Sequence, residues 1–160
     1  MEWHSQTAGK SSNRDADMAI NDALNNLDKL FEITQEQVKR GHEYLGEQFI
    51  RDARQIDTYK DQTANLRNSI GYKLIAPGEE IAKFGGGEGG GEGKQVADSL
   101  SLEVHDHGII MVAGMNYAVW VEAKGYDVIS NSVESVRGLA GRIKDRISDN
   151  VSRKLSQIIK

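Results

Sequence analysis

The sequence predicts an α+β fold, in which a small and mainly antiparallel sheet packs against helices. Two long stretches, one toward each end of the chain, carry apolar residues at steps of three and four, the spacing of an amphipathic helix. Between them, apolar and polar residues alternate ahead of a Pro-Gly turn, as in a hairpin. The 160 residues fit one domain, predicted over residues 14–160, after a flexible polar arm at residues 1–13.

The first long helix is predicted after this arm and extends to about residue 56. One apolar stripe follows it, formed by Ile20, Leu24, Leu27, Phe31, Thr34, Val38, Gly41, Leu45, Phe49, Ala53 and Ile56. Because glycine costs about 1 kcal/mol relative to alanine inside a helix, Gly41 and Gly46 predict a bend, with two shorter helices as the alternative. So long a stripe exceeds what a small core covers. Burial by another chain is therefore expected, with wrapping around the chain's own sheet as the alternative.

The hairpin is predicted over residues 66–84. Its first strand has one apolar face, formed by Leu66, Ile70, Tyr72 and Leu74. In the sequence Ala76-Pro77-Gly78 that follows, the proline ring fixes φ and the glycine tolerates a positive φ, a combination typical of a turn. Residues 79–84 follow as a weaker returning strand.

Glycine occupies seven of the nine positions from Gly85 to Gly93. Because these residues offer no side chains to offset the entropy of ordering, we predict a flexible loop, either solvated or reaching toward a neighbouring subunit. Gly85, Gly87 and Gly90 match a dinucleotide-binding pattern, but so glycine-rich a run matches it by chance and lacks the strand-turn-helix context. A phosphate-binding loop is also excluded, since Gln95 stands where the metal-binding hydroxyl belongs.

The rest of the chain is predicted to contain a short middle helix at residues 94–104, a buried strand at residues 109–113 and a short strand at residues 126–129. Periodicity leaves residues 117–122 open as either a strand or one to two turns of helix. A long C-terminal helix follows, with Ser130, Asn131 or Ser132 as its cap. Its apolar stripe is Val133, Val136, Leu139, Ile143, Ile147, Val151, Leu155 and Ile158.

Composition excludes several classes of function. The chain has no cysteine, so disulfides, thiolate zinc sites, thiol catalysis and iron–sulfur clusters are ruled out. No apolar run approaches the roughly 20 residues that span a bilayer, and the N-terminus lacks an apolar signal core. We therefore expect a soluble, unexported protein. The net charge of −4 divides unevenly, as −8 over the first 132 residues and +4 over residues 133–160.

Candidate chemical groups do not assemble into a reactive site. His105 and His107 flank Asp106, but two imidazoles alone do not make a metal site. Glu122 follows an aromatic-rich segment and is expected to be partly buried, with Arg67 as its ion-pair partner. There is no nucleophile elbow and no metalloprotease helix. We predict neither enzymatic activity nor a cofactor.

Two segments lie about fifty residues apart, DQTANLRNSI at residues 61–70 and GMNYAVWVEAKGYDVI at residues 114–129. In order and spacing they resemble the head-tail joining or tail-completion family of long-tailed bacteriophages, a group of minor tail or minor capsid proteins. The resemblance is carried by Asp61, Thr63, Leu66, Arg67, Ser69, Ile70, Tyr117, Ala118, Val121, Glu122 and Gly125. Ala64, Trp120 and Tyr126 stand where the family's usual pattern has a glycine, a tyrosine and a threonine.

The resemblance implies a structural protein of the virion neck or tail, assembled in the cytoplasm of a bacterial host. It would join head and tail by forming a ring around the DNA channel, through which DNA passes without specific binding. Its partners would be further copies of itself and other neck, connector or tail-tube proteins, with no membrane involved. The residues expected at a subunit interface are Leu24, Leu27, Phe31, Val38, Gly85 and Gly93.

The alternative prediction is a small regulatory protein that binds nucleic acid through its basic C-terminal helix. Arg142, Arg146 and Arg153 would then contact phosphates. Mixed signs at this spacing are also typical of a solvated helix face.

Overall fold

The computed structural model describes residues 8–158, with side chains from residue 13 onward. Within these residues it confirms the predicted α+β class. The elements are α1 (Ala8–Arg54), α2 (Asn65–Ser69), β1 (Ile70–Ala76), β2 (Glu79–Lys83), α3 (Gly87–Ser101), β3 (Gly108–Ala113), α4 (Ala118–Ala123) and α5 (Ser130–Ile158).

The three strands form one antiparallel sheet with β1 at its centre, in the order β2-β1-β3. The register places Leu74 of β1 opposite Ile81 of β2 and Ile109 of β3. Pro77 and Gly78 form the predicted turn, where Gly78 adopts a φ of 76° that favours glycine. The hairpin and the strand at residues 109–113 are thus confirmed.

Helices cover both faces of the sheet. The second half of α1 packs on one face, against the apolar side chains of β1 that alternate along the strand, and α5 packs on α1. This core contains Leu45, Phe49, Ala53, Leu66, Ile70, Tyr72, Leu74, Val128 and Val136. Helix α3 covers the other face, where Lys73 of β1 contacts Asp98. The small sheet therefore lies between two helical layers.

Helix α1 is unbroken through Gly41 and Gly46, so the alternative of two shorter helices is wrong. Both glycines instead allow close packing. A Cβ at Gly46 would lie 2.6 Å from the ring of Tyr72, and one at Gly41 would lie 2.9 Å from Ile143 of α5. The propensity cost of each glycine is offset because the sheet and α5 approach the helix more closely than a side chain permits.

The glycine-rich segment is a helix rather than the predicted flexible loop, since α3 begins at Gly87. Gly89, Gly90 and Gly93 are buried on its inner face. A Cβ on any of them would overlap a backbone carbonyl oxygen, that of Asn65, Gly85 or Ser69 respectively. Composition alone was misleading here, because backbone packed directly on backbone supplies the contacts that side chains usually make.

Smaller differences lie at the boundaries of other elements. Residues 65–69 form α2, so the strand starts at Ile70 rather than Leu66. The open segment at residues 117–122 is largely helical, as α4, and residues 126–129 form no strand. The middle helix spans residues 87–101 rather than 94–104. Of the predicted arm, residues 8–13 already belong to α1, and residues 1–7 lie outside the described residues.

Candidate assembly surfaces

The apolar stripe of α1 is covered along one half of the helix and uncovered along the other. Toward the C-terminal end of α1, Leu45, Phe49 and Ala53 are buried in the core. Every described side chain from Asn13 to Asn25 is exposed. The uncovered part of the stripe, here named the free face, comprises Ile20, Leu24, Leu27 and Phe31, each more than half exposed.

The free face exists because the sheet is too short to reach it. The turn of the hairpin lies near Phe31, where Pro77 and Glu79 line a cavity together with that side chain. Lys39 marks the same boundary, since its ammonium group lies 2.6 Å from the carboxylate of Glu79. Residues 13–30, about 27 Å of helix at 1.5 Å per residue, thus extend beyond the sheet.

A groove runs along the line where α1 and α5 meet. The two helices are antiparallel: Thr58, after α1, donates a hydrogen bond to the carbonyl of Asp127, before α5, and Gly41 faces Ile143 and Ile147. The groove is open and encloses about 570 Å³. It is lined by Gln37, Arg40, Gly41, Tyr44, Leu139, Arg142, Ile143, Arg146, Ile147 and Asn150.

The groove combines an apolar floor with a cationic rim. Tyr44, Ile143 and Ile147 supply apolar surface, and the charged residues lining the groove are all arginines. Among the described residues, Arg142 and Arg146 form no salt bridge, whereas Arg40 pairs with Glu36 at 2.8 Å. The groove therefore favours a ligand that carries both apolar and acidic groups.

The two segments that carry the family resemblance meet at one place. The carboxylate of Asp61 accepts a hydrogen bond from the backbone N–H of Arg67 at 2.8 Å, which holds the loop against the start of α2. Tyr117, which precedes α4, faces this loop. A shallow cavity between them is lined by Tyr59, Asp61, Thr63, Leu66, Tyr117 and Val121. The motif residues thus bring α4 next to the loop that leads into α2 and the sheet.

Glu122 does not pair with Arg67, contrary to the sequence prediction. Its Oε1 accepts hydrogen bonds from the backbone N–H groups of Val128, Ile129 and Ser130 at 2.9–3.3 Å. Burial raises the pKa of this carboxyl, but these hydrogen bonds outweigh burial and hold the pKa below its ordinary value. Glu122 therefore caps the start of α5, where a helix exposes unpaired N–H groups and favours negative charge.

Arg67 stays close to its own segment. Its guanidinium donates to the carbonyl of Ile56 at 3.2 Å and lies 5.9 Å from the centre of the Tyr59 ring. The side chain of Arg67 therefore packs against the segment that connects α1 to α2. Its role is to hold this connection in place, and it has no contact with Glu122 among those described.

A second exposed apolar surface lies on α4. Trp120 and Val119 are 71% and 74% exposed, and Tyr126 beyond the helix is also exposed. A tryptophan this exposed on a short helix is unusual for a monomer and common at interfaces. In the sequence, Trp120 stands out only as a departure from the family pattern. Had residues 118–123 been assigned as a helix, its 3.6-residue period would have placed Trp120 and Val119 on a different side from buried Ala118.

Lys73 is buried at the centre of the sheet face that α3 covers. Its ammonium group lies 2.8 Å from Asp98 of α3 and 2.9 Å from Glu80 of β2. Hydrogen bonds to Asp98 and then Glu80 raise the pKa of Lys73, despite the opposing effect of burial. Because both carboxylates compensate the buried charge, this cluster fixes α3 on the sheet and suggests no catalysis.

The histidine pair predicted in the turn before β3 is separated in the structure. His105 is exposed, whereas His107 turns inward and its ring centre lies 6.4 Å from that of His42 in α1. Burial, and then the neighbouring His107, lower the pKa of His42. Within the described residues, no three His, Asp or Glu side chains are placed to hold a metal ion.

The residues predicted at a subunit interface fall into three groups. Leu24, Leu27 and Phe31 lie on the free face. Val38 is half-buried and lines a cavity shared by α1 and α5. Gly85 and Gly93 pack against Asn68 and Ser69 within the same chain.

No helix within residues 8–158 combines the length and apolar character needed to cross a bilayer. Comparison of the chain with protein-family models, with curated proteins and with solved structures found no match.

Proposed function

We propose that this chain is a structural protein of a bacteriophage or prophage neck, which joins head and tail by assembling into a ring around the DNA channel. The observation that carries the proposal is the free face of α1. Four large apolar side chains remain exposed on a helix whose other half forms the core. A monomer gains nothing from such a surface, whereas an assembly subunit buries it against its neighbour.

The arrangement of the motif residues also supports this function. Asp61, Thr63 and Tyr117 come from segments far apart in the chain, yet they line one cavity beside α4. In the resembling family these segments occur in the same order. If the chain shares the family's fold, these two segments should meet in this way. Trp120 is exposed beside them and offers a surface for other neck proteins.

The mechanism would be burial rather than chemistry. Ring assembly needs heterologous contacts, in which one surface of each copy meets a different surface of the next. The free face and the groove between α1 and α5 are two such different surfaces on one chain. The net charge of −4 suits a channel wall, because a strongly cationic wall would retain the DNA that must pass.

Native mass spectrometry and negative-stain electron microscopy over a series of concentrations test the proposal. We expect closed rings of one fixed copy number, either alone or on isolated portal or tail-tube complexes of a long-tailed phage. A protein that stays monomeric at every concentration and binds neither complex contradicts it. Ring formation without binding to either complex would retain an oligomeric protein and reject the neck function.

The second candidate is nucleic-acid binding, which the groove arginines favour. Arg40, Arg142 and Arg146 line one surface, and Arg153 lies one to two turns further along α5. A salt-sensitive gel shift with duplex DNA, lost in the R142Q/R146Q/R153Q variant, would support this candidate. A shift that persists in this variant, or none at 50 mM salt, would count against it.

A further inference from the structure

We propose that the free face of one copy docks into the groove between α1 and α5 of the next copy. The contact is head-to-tail, since the free face and the groove are two different surfaces of each chain. This inference rests on the proposed function for its biological setting and deepens it by assigning the two surfaces of the ring contact. The occupant is a second copy of this chain.

The two surfaces agree in length. The free face extends from Ile20 to Phe31, which is eleven residue steps or about 16 Å along a helix. On α5 the groove extends from Leu139 to Asn150, the same number of steps. One helix can therefore lie along the whole groove, with Leu24 and Leu27 placed over its centre as in a three-helix bundle.

The two surfaces also agree in chemistry. At 100° per residue, Ile20, Leu24, Leu27 and Phe31 lie within about 60° of one another around the helix. Asp17 and Asp28 lie along one edge of this face, about 50–70° from its centre. The groove offers Tyr44, Ile143 and Ile147 to the apolar side chains, and Arg142 and Arg146 to the carboxylates.

The chain cannot fill its own groove. Helix α1 is continuous from Ala8 to Arg54, and its residues Gln37 to Tyr44 already form one wall of the groove. The free face belongs to the same continuous helix and would have to fold back on it, which requires breaking several turns. The free face therefore reaches only the groove of another molecule, and repetition of this contact closes a ring or extends a filament.

Other occupants fit the groove less well. A nucleic acid would satisfy the arginines but would leave the apolar floor of Tyr44, Ile143 and Ile147 without a matching surface. Symmetric pairing of two free faces would bring together two segments of the same sign, because residues 13–32 carry a net charge of −3. Docking into the groove matches both the charge and the apolar surface.

Disulfide trapping between single-cysteine variants tests the contact, since the natural chain has no cysteine. L24C on the free face and Y44C in the groove are mixed as purified proteins, oxidised and examined by intact mass. The matched control is K29C, about 140° from Leu24 on the same exposed part of α1, mixed with Y44C. We expect the L24C–Y44C disulfide to form at least about tenfold faster than the K29C–Y44C disulfide.

Charge reversal tests the same contact without a covalent bond. D28K places a cation beside the groove arginines, whereas D22K makes the same change on the opposite side of the helix. Sedimentation equilibrium should show self-association weakened about tenfold or more by D28K and little changed by D22K. Mixing D28K with R142E/R146E should restore association, because the charges are then exchanged across the contact.

The outcomes separate this contact from the proposed function. Equal trapping of L24C and K29C, or trapping dominated by L24C–L24C disulfides, overturns the contact. If rings still form on the neck complexes, the neck function stands and another surface makes the ring. If the L24C–Y44C disulfide forms but no neck complex is bound, the contact stands and the neck function falls. A gel shift with DNA that R142E/R146E abolishes, without L24C–Y44C trapping, assigns the groove to nucleic acid.

Discussion

The two halves of α1 carry the same kind of apolar stripe, but the stripe is exposed in the first half and buried in the second. Phe31 and Phe49 are eighteen residues apart, which is five turns, so they occupy the same angular position on the helix. Phe31 is 64% exposed and Phe49 is fully buried. The difference lies in the cover, by which we mean the sheet and the start of α5, because these elements pack only on the second half of α1. Amphipathicity therefore predicts that a surface will be covered but not which molecule covers it.

The phenylalanine pair offers the sharpest test of this comparison. F49A should lower the free energy of unfolding by about 3–5 kcal/mol, because it leaves a cavity in the core. F31A should leave the free energy of unfolding of the dilute monomer within about 0.5 kcal/mol of the natural chain and should weaken self-association. Urea denaturation at low protein concentration measures the first effect, and sedimentation the second. Comparable destabilisation of the monomer by both changes would show that the two halves are equally covered.

A change in α3 tests the packing of the sheet that covers the second half of α1, because α3 packs on the other face of that sheet. In G90A the new methyl group would overlap the carbonyl oxygen of Gly85, so α3 must shift, at a cost of about 1–3 kcal/mol. Gly91 is the matched control, since nothing lies within 4 Å of a Cβ built there. G91A should stabilise the protein by up to about 1 kcal/mol through helix propensity. Thermal unfolding followed by circular dichroism distinguishes the two, and similar effects would indicate that the segment is not packed as a helix.

The start of α5 is the other part of the cover, and Glu122 holds it. E122Q should destabilise the protein by about 1 kcal/mol at pH 7, as the loss of a charged helix cap does. The pKa of Glu122 is lowered on folding, so its contribution is complete above the ordinary value of 4.5 and disappears as pH falls through the folded-state pKa. Stability measured from pH 7 to pH 3 should therefore fall less steeply in E122Q. An unchanged pH profile would remove Glu122 from the cap.

Much of the fold follows from sequence periodicity. Both long helices were predicted from a repeat of three to four residues and the hairpin around Pro77-Gly78 from a repeat of two, whereas the strand before Gly114 was predicted from a short apolar run. The glycine-rich segment was mispredicted as a loop because its composition shows that side chains are missing but cannot show that the backbone packs closely against another backbone. Only the tertiary structure shows Gly89, Gly90 and Gly93 facing carbonyl oxygens.

The candidate surfaces were predicted in part. The excess length of the first stripe indicated a contact with another chain, and Leu24, Leu27 and Phe31 are indeed exposed. The groove was not predicted, because Tyr44 and Arg142 are far apart in sequence and meet only when α1 and α5 pack antiparallel. Glu122 was correctly singled out as partly buried, but its partners are backbone N–H groups, which a search for opposite charges does not find.

Hydrogen exchange measured at several protein concentrations tests most directly whether the two halves of α1 differ in their cover. In dilute solution, amides of residues 37–54 should be strongly protected and those of residues 13–32 should exchange rapidly. With rising concentration, protection should increase in residues 13–32 and in the groove residues of α5, and stay constant in the core. Equal protection of both halves in the dilute monomer, or exchange in residues 13–32 that never slows at high concentration, would contradict burial of the free face by a second copy.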